Sequence, residues 1–153
     1  MKKILIAADH GGFALKESLK PYLEKKGFTV SDLGAFSSER CDYPALAYNL
    51  ARQIAKGKFK RGILICKSGI GDSIVANRVP GVRAALCSNV RSARLSREHN
   101  DSNVLVMGSI FVKPPLAKKI TAAWLNTEFQ GGRHQRRLDQ IKTIERKVRG
   151  GLR

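Results

Sequence analysis

Apolar and polar residues along this chain alternate with two periods, and the switches between them divide it into strands and helices. Lys3-Ile4-Leu5-Ile6-Ala7-Ala8 is a continuous apolar run, the pattern of a strand covered on both faces. Leu15, Leu19, Tyr22 and Leu23 then fall on one face of a helix, which Gly27 ends before a second strand over Phe28 to Leu33. A loop spans Gly34 to Asp42. Pro44 suits the first turn of the next helix, whose core face would be Leu46, Leu50 and Ile54. Gly62 to Cys66 reads as a third strand, running straight into Ser68-Gly69-Ile70-Gly71 and a helix through Val75 to Val79. A fourth strand over Val82 to Cys87, a helix over Ser92 to Glu98 and a fifth strand over Asn103 to Met107 follow. Two helices close the chain, one carrying Leu116, Ile120, Ala123 and Trp124, the other Leu138, Ile141, Ile144 and Val148.

Strands alternating with helices predict an α/β fold, a parallel sheet with helices on both faces. In such sheets the functional site lies beyond the carboxyl ends of the strands, where the strand order reverses. That rule nominates Asp9-His10-Gly11-Gly12, Cys66 to Gly71, Ser88-Asn89 and Gly108-Ser109.

Composition narrows the class. At 153 residues, 42% hydrophobic and 27% charged, the chain can bury one sizeable core, so a single domain over 1–153 is expected rather than a disordered or collagen-like chain. No apolar run approaches the roughly 18 residues of a membrane span. Met1-Lys2-Lys3 imitates the start of an export signal, but the apolar stretch from Ile4 to Ala8 is cut short by Asp9-His10. Cys41, Cys66 and Cys87 form neither a disulfide framework nor a zinc spacing, so a reducing cytoplasm is expected. Charge is the anomaly: 29 Lys and Arg against 12 Asp and Glu give +17, which attracts anions, either nucleic acid or small phosphorylated substrates. The stretch from Arg133 onward, a basic helix from about residue 135, concentrates that charge.

Cys66-Lys67-Ser68-Gly69-Ile70-Gly71-Asp72 is the most informative segment. Backbone N–H groups there can form an anion-binding nest at a helix start. A thiol beside that nest and a Lys can act as base or nucleophile, or Cys66 is an inert end to a buried strand. Asp72 is either an acid placed at a helix start or a carboxylate base. Asp9 and His10 can orient, transfer protons or bind phosphate, against the plainer reading of a solvent-facing loop. His99 and Asn100 end a helix, with Asn100 suited to a left-handed cap and His99 to a protonated acid. Arg133 and Arg137 stand one helical turn apart, as a fork on a phosphate or as a solvated face.

Taken together these residues resemble the type B ribose-5-phosphate isomerases of the ribose-5-phosphate/galactose-6-phosphate isomerase family. The likeness runs from about Lys2 to Lys147. It rests on Ala8-Asp9-His10-Gly11-Gly12-Phe13, Asp42-Tyr43-Pro44, Gly62 to Cys66, Ala76 to Ala84, Ser92 to Asn100 and Glu128 to His134, in that order. The resemblance implies a single Rossmann-like domain with a five-stranded parallel sheet, and a metal-free, cofactor-free aldose–ketose isomerase. It implies dimers or tetramers whose sites draw on both subunits. Cys66 would move a proton between C1 and C2 through an enediolate, and His99 would open the furanose ring with Asp9 nearby. Lys67, Ser68, Gly69, Ile70 and Gly71 would hold the enediolate oxygens, Ser68 in the family's usual Thr/Ser role. His10, Arg133 and Arg137 would bind the phosphate, with Tyr43 and Asn100 completing the sugar pocket.

The chain departs from the family pattern at Lys67, where Gly is usual, and at Ile110, where many members carry a phosphate-binding Arg. It also carries both Cys66 and Asp72, whereas some members replace the cysteine and use a carboxylate at the second position. The intact Asp9-His10 and His99-Asn100 pairs favour ribose 5-phosphate; another four- to six-carbon sugar phosphate, or a basic nucleic-acid-binding relative, are the alternatives.

Overall fold

The computed structural model describes residues 2–151; Met1, Leu152 and Arg153, the ends of the domain expected over 1–153, lie outside the described residues. The elements are β1 (Lys2–Ala8), α1 (Phe13–Lys25), β2 (Phe28–Asp32), α2 (Tyr43–Ala55), β3 (Gly62–Cys66), α3 (Ile70–Ala76), β4 (Ala84–Leu86), α4 (Val90–Asn100), β5 (Val104–Gly108), α5 (Pro114–Asn126) and α6 (Arg133–Arg149). The strands form one five-stranded sheet in the order β2-β1-β3-β5-β4, and every pairing is parallel.

The continuous apolar strands behave as their pattern requires. Ile4, Ile6 and Ala8 of β1 join a cluster with Leu15, Leu19, Ala93, Ile120 and Trp124, so α1, α4 and α5 cover one face. Leu5 and Ala7 point the other way, to Ala47, Leu50, Ala51 and Ala76 of α2 and α3. Each fully buried Leu or Ile contributes on the order of 1.5–3 kcal/mol. Trp124 has no exposed surface, and its indole N–H donates to Ser102 Oγ at 2.7 Å.

The chain runs from β1 outward to β2 and then back across β1 to β3. The strand order therefore reverses between β1 and β3, and the crevice beyond their carboxyl ends is the site that the topology builds. A buried ion pair fixes the loop beside it. Lys16, fully buried in α1, donates to both Asp32 carboxylate oxygens (2.7 and 2.6 Å) and to Ala35 O (2.7 Å), at the start of the loop to Tyr43.

Several expectations need correction, among them the third helix, which ends at Ala76 rather than Val79. The fourth strand keeps only Ala84–Leu86 of Val82 to Cys87, because Val82 closes a turn on Val79. The fourth helix begins at Val90, capped by Asn89, whose side chain accepts Ser92 N–H, and it ends with Asn100 still helical. The left-handed cap falls on Asp101 (φ 44°) instead. The apolar stripe of α6 is buried only at Leu138; Ile141, Ile144 and Val148 are exposed.

Candidate active site

Two glycines allow the chain ends of β1, β3 and β5 to touch. A side chain at Gly12 would strike the Ile65 carbonyl, and one at Gly108 would strike the backbone of Ser68. Ser109 locks the loops together, its N–H on Cys66 O (2.9 Å) and its hydroxyl on Gly11 O (2.7 Å). Gly69 adopts φ 79°, a left-handed turn that glycine takes without strain, and its N–H donates to Cys66 Sγ at 3.1 Å. Ser68 Oγ accepts Ile70 N–H at 3.3 Å. The Tyr43 ring lies against Gly71, where any side chain would collide with it. Lys67 is exposed, and its carbonyl holds Ile110 N–H at 3.1 Å.

Cys66 and Asp72 are buried together, with 4% and 2% of their surface exposed. Burial first, and then the charge of Asp72, pushes the thiol up to about 11. The hydrogen bond from Gly69 N–H acts the other way. Burial also pushes the Asp72 carboxyl up to about 7, with the charge of Asp9 adding to it and the bond with the Cys66 thiol opposing it. Near neutral pH the thiol therefore keeps its proton and donates it to a half-ionised carboxylate. A free thiolate at this position is costly, because burial and the neighbouring Asp72 charge both disfavour it. Asp9, 7% exposed, accepts Gly12 N–H at 3.0 Å. His10 Nδ1 sits 3.0 Å from Cys41 O and 3.3 Å from Cys41 N, which leaves Nε2 for a ligand.

The remaining expected site residues form a second cluster. His99 stacks on His134 with ring centroids 4.2 Å apart and planes 11° from parallel. Gln130 N–H donates to Glu98 O at 3.1 Å, and left-handed Gly131 and Gly132 turn the chain into α6. Arg133 and Arg137 flank the buried His134. Burial, and then the charges of His99 and the two arginines, hold the His134 imidazole below its ordinary value. Asn100 is exposed, and its carbonyl accepts Arg83 Nε at 2.9 Å.

Within one chain the two clusters do not meet. Cys66 pairs with Gly108 at the carboxyl end of the sheet, whereas Gly62 pairs with Val104, just after α4, at the amino end. Four residues of strand separate those levels by about 13 Å. The structure thus gathers Asp9, His10, Tyr43, Cys66 to Gly71 and Asp72 at one end of the sheet. His99, Asn100, Arg133 and Arg137 lie toward the other. His134 ends the last of the resembling segments, and its only sequence signal is its place between Arg133 and Arg137 at a helix start.

A doubly wound α/β domain with a buried thiol–carboxylate pair at its switch point defines the class. The family model described as Ribose/Galactose Isomerase matches residues 4–141, and the chain belongs to that family. It is 49% identical to "Ribose-5-phosphate isomerase B" of Escherichia coli (strain K12) over 147 residues, 96% of this chain and 99% of that one. The Clostridium thermocellum ribose-5-phosphate isomerase B structure superposes with a TM-score of 0.94 at 47% identity, covering 95% and 99% of the two chains. The Mycoplasma genitalium ribose-5-phosphate isomerase B, solved with bound ribulose-5-phosphate, gives 0.90 at 41% identity, covering 95% and 97%.

Proposed function

We propose that this chain interconverts ribose 5-phosphate and ribulose 5-phosphate as a homodimer whose active sites are shared between subunits. The observation that carries this reading is the buried Cys66–Asp72 pair at the β1/β3 crevice, in a chain similar over nearly its full length to isomerases of that specificity. His99 opens the ring, with Asp9 beside the opened sugar. Sγ of Cys66 takes the C2 proton while its own proton passes to Asp72; a proton passes from O2 to O1, and the return transfer from Cys66 places a proton on C1. This relay avoids the free thiolate and its cost. The pair titrates as one unit, with the neutral-range ionisation residing mainly on Asp72. N–H groups of 67–71, with those of Gly69 and Ile70 released from Cys66 Sγ and Ser68 Oγ, and the Ser68 hydroxyl donate to the enediolate, whose negative charge only the transition state develops fully.

His10, Arg133 and Arg137 bind the phosphate, and Tyr43 and Asn100 orient the sugar. Because His99, Asn100, Arg133 and Arg137 lie toward the opposite end of their own sheet, a second copy supplies them. Exposed apolar side chains support such a contact: Ile70 and Ile74 on α3, Leu86 at the end of β4, and Ile141, Ile144 and Val148 on α6. Among the described residues no helix is long and apolar enough to cross a membrane, and the three free cysteines suit a reducing cytoplasm. The test is conversion of ribose 5-phosphate by the purified protein, followed with exchange of solvent deuterium into product. Turnover with exchange supports the reading; turnover of only another sugar phosphate moves the substrate, and no turnover of any removes the enzyme.

A further inference from the structure

At the amino ends of β1, β2 and β3 lies a concavity of about 500 Å³ that shares no lining residue with either half of the candidate active site. Lys2 and Lys3 enter it from β1, and Lys58, Lys60 and Arg61 from the segment between α2 and β3. Glu128 is the one carboxylate on its wall. Elsewhere this chain neutralises its structurally important cations: Lys16 and Lys20 pair with Asp32, and Arg83 and Arg97 with Asp101. None of the recorded ion pairs among the described residues involves Lys2, Lys3, Lys58 or Lys60.

Arg61 is the most enclosed cation on this wall, half-buried where the four lysines are exposed. Its guanidinium stacks 5.0 Å from the Trp124 ring and donates to Trp124 O at 3.2 Å. Burial, and then the charge of Arg97, pulls it down to about 10. Five cations facing one carboxylate around a single concavity repel one another, and a multiply charged anion relieves that repulsion. Phe28 and Phe59, both half-buried, also line it, Phe28 packed on the core beneath α1 and Phe59 on the core beneath α2.

We propose that this concavity is a second binding site, for a small molecule bearing a polyphosphate chain. The lysines meet the phosphates as point charges, Arg61 adds a planar donor, and Phe59, between Lys58 and Lys60, offers an apolar face to a flat ring where the ligand carries one. Nucleoside triphosphates and inorganic tripolyphosphate share the required chemistry.

The test is calorimetric titration of the full chain with ATP and, separately, with tripolyphosphate, at about 0.1 M salt, where exposed charges are screened beyond about 10 Å. Both are expected to bind. Lys58→Glu/Lys60→Glu is expected to weaken both by about tenfold or more, with isomerase turnover unchanged; Lys2→Ala/Lys3→Ala repeats the test from the other strand. Absence of binding by the unaltered chain overturns the proposal. So does undiminished binding by both lysine variants, or displacement of the anion by ribose 5-phosphate. Tighter binding of single-stranded RNA than of either small anion overturns it in favour of a nucleic-acid surface.

Discussion

Replacing Asp72 by Asn tests the thiol–carboxylate pair through two independent readouts. The carboxyl is pushed from 3.8 up to about 7, chiefly by burial. The folded protein therefore holds its proton more tightly than the unfolded chain, so stability is full at low pH and falls as pH rises from 3.8 through about 7. At roughly 1.4 kcal/mol per pKa unit the loss reaches about 4 kcal/mol above neutrality. Part of that cost is visible directly, since the buried Asp72 Oδ2 has no hydrogen-bond partner. Asp72→Asn should be more stable than the unaltered protein at pH 8.5, by up to that amount, and should lack the decline with pH. Urea unfolding at pH 5, 7 and 8.5 measures it. Activity should move the other way: kcat at pH 7 falls about a hundredfold or more with the relay's acceptor gone, and recovers toward alkaline pH as the thiol ionises by itself. A variant no more stable at pH 8.5, with an unchanged pH–rate profile, would refute both the buried charge and its role.

Other substitutions separate position from chemistry. Cys66→Ala should abolish solvent proton exchange and lower kcat by about a hundredfold or more, measured by NMR, because the relay has no second path. Gly71→Ala should push the Tyr43 ring off the loop, raising KM with little change in unfolding free energy. Lys16→Ala should cost about 1–3 kcal/mol in denaturant titrations, because Asp32 loses its buried partner but keeps Lys20 and the Gly34 N–H. Lys16, Lys20 and the Gly34 N–H together outweigh the burial of Asp32 and hold its carboxyl below 3.8. That pair's contribution is present above pH 3.8 and is lost as pH falls through the lower folded value, so acid unfolding of the unaltered protein should steepen there.

The strands were legible because both faces of the sheet are covered, so β1, β3 and β5 read as unbroken apolar runs. The crevice followed from strand order alone. What the sequence pattern missed is a matter of what covers a surface. The α6 stripe repeats Leu138, Ile141, Ile144 and Val148 with helical spacing, yet only the first meets this chain's own core. Periodicity says that a face is apolar, not whose core it joins. The division of the site is likewise absent from local pattern, since His99 and Cys66 are both near element ends and only sheet direction assigns those ends. The stacking of His134 on His99 depends on the turn at Gly131-Gly132, and the basic concavity depends on β1 pairing with β3, which brings Lys2 and Lys3 beside residues some 55–60 positions away.

Mixing inactive subunits tests the shared site most directly. Cys66→Ala lacks the proton-transfer half and His99→Ala the ring-opening half, so each alone should be nearly inactive. After the two are unfolded together and refolded at equal amounts, half the dimers carry one of each, with one intact site, and activity should return to about a quarter of normal. A mixture no more active than its components, with dimers confirmed by light scattering, would contradict a site built from two chains.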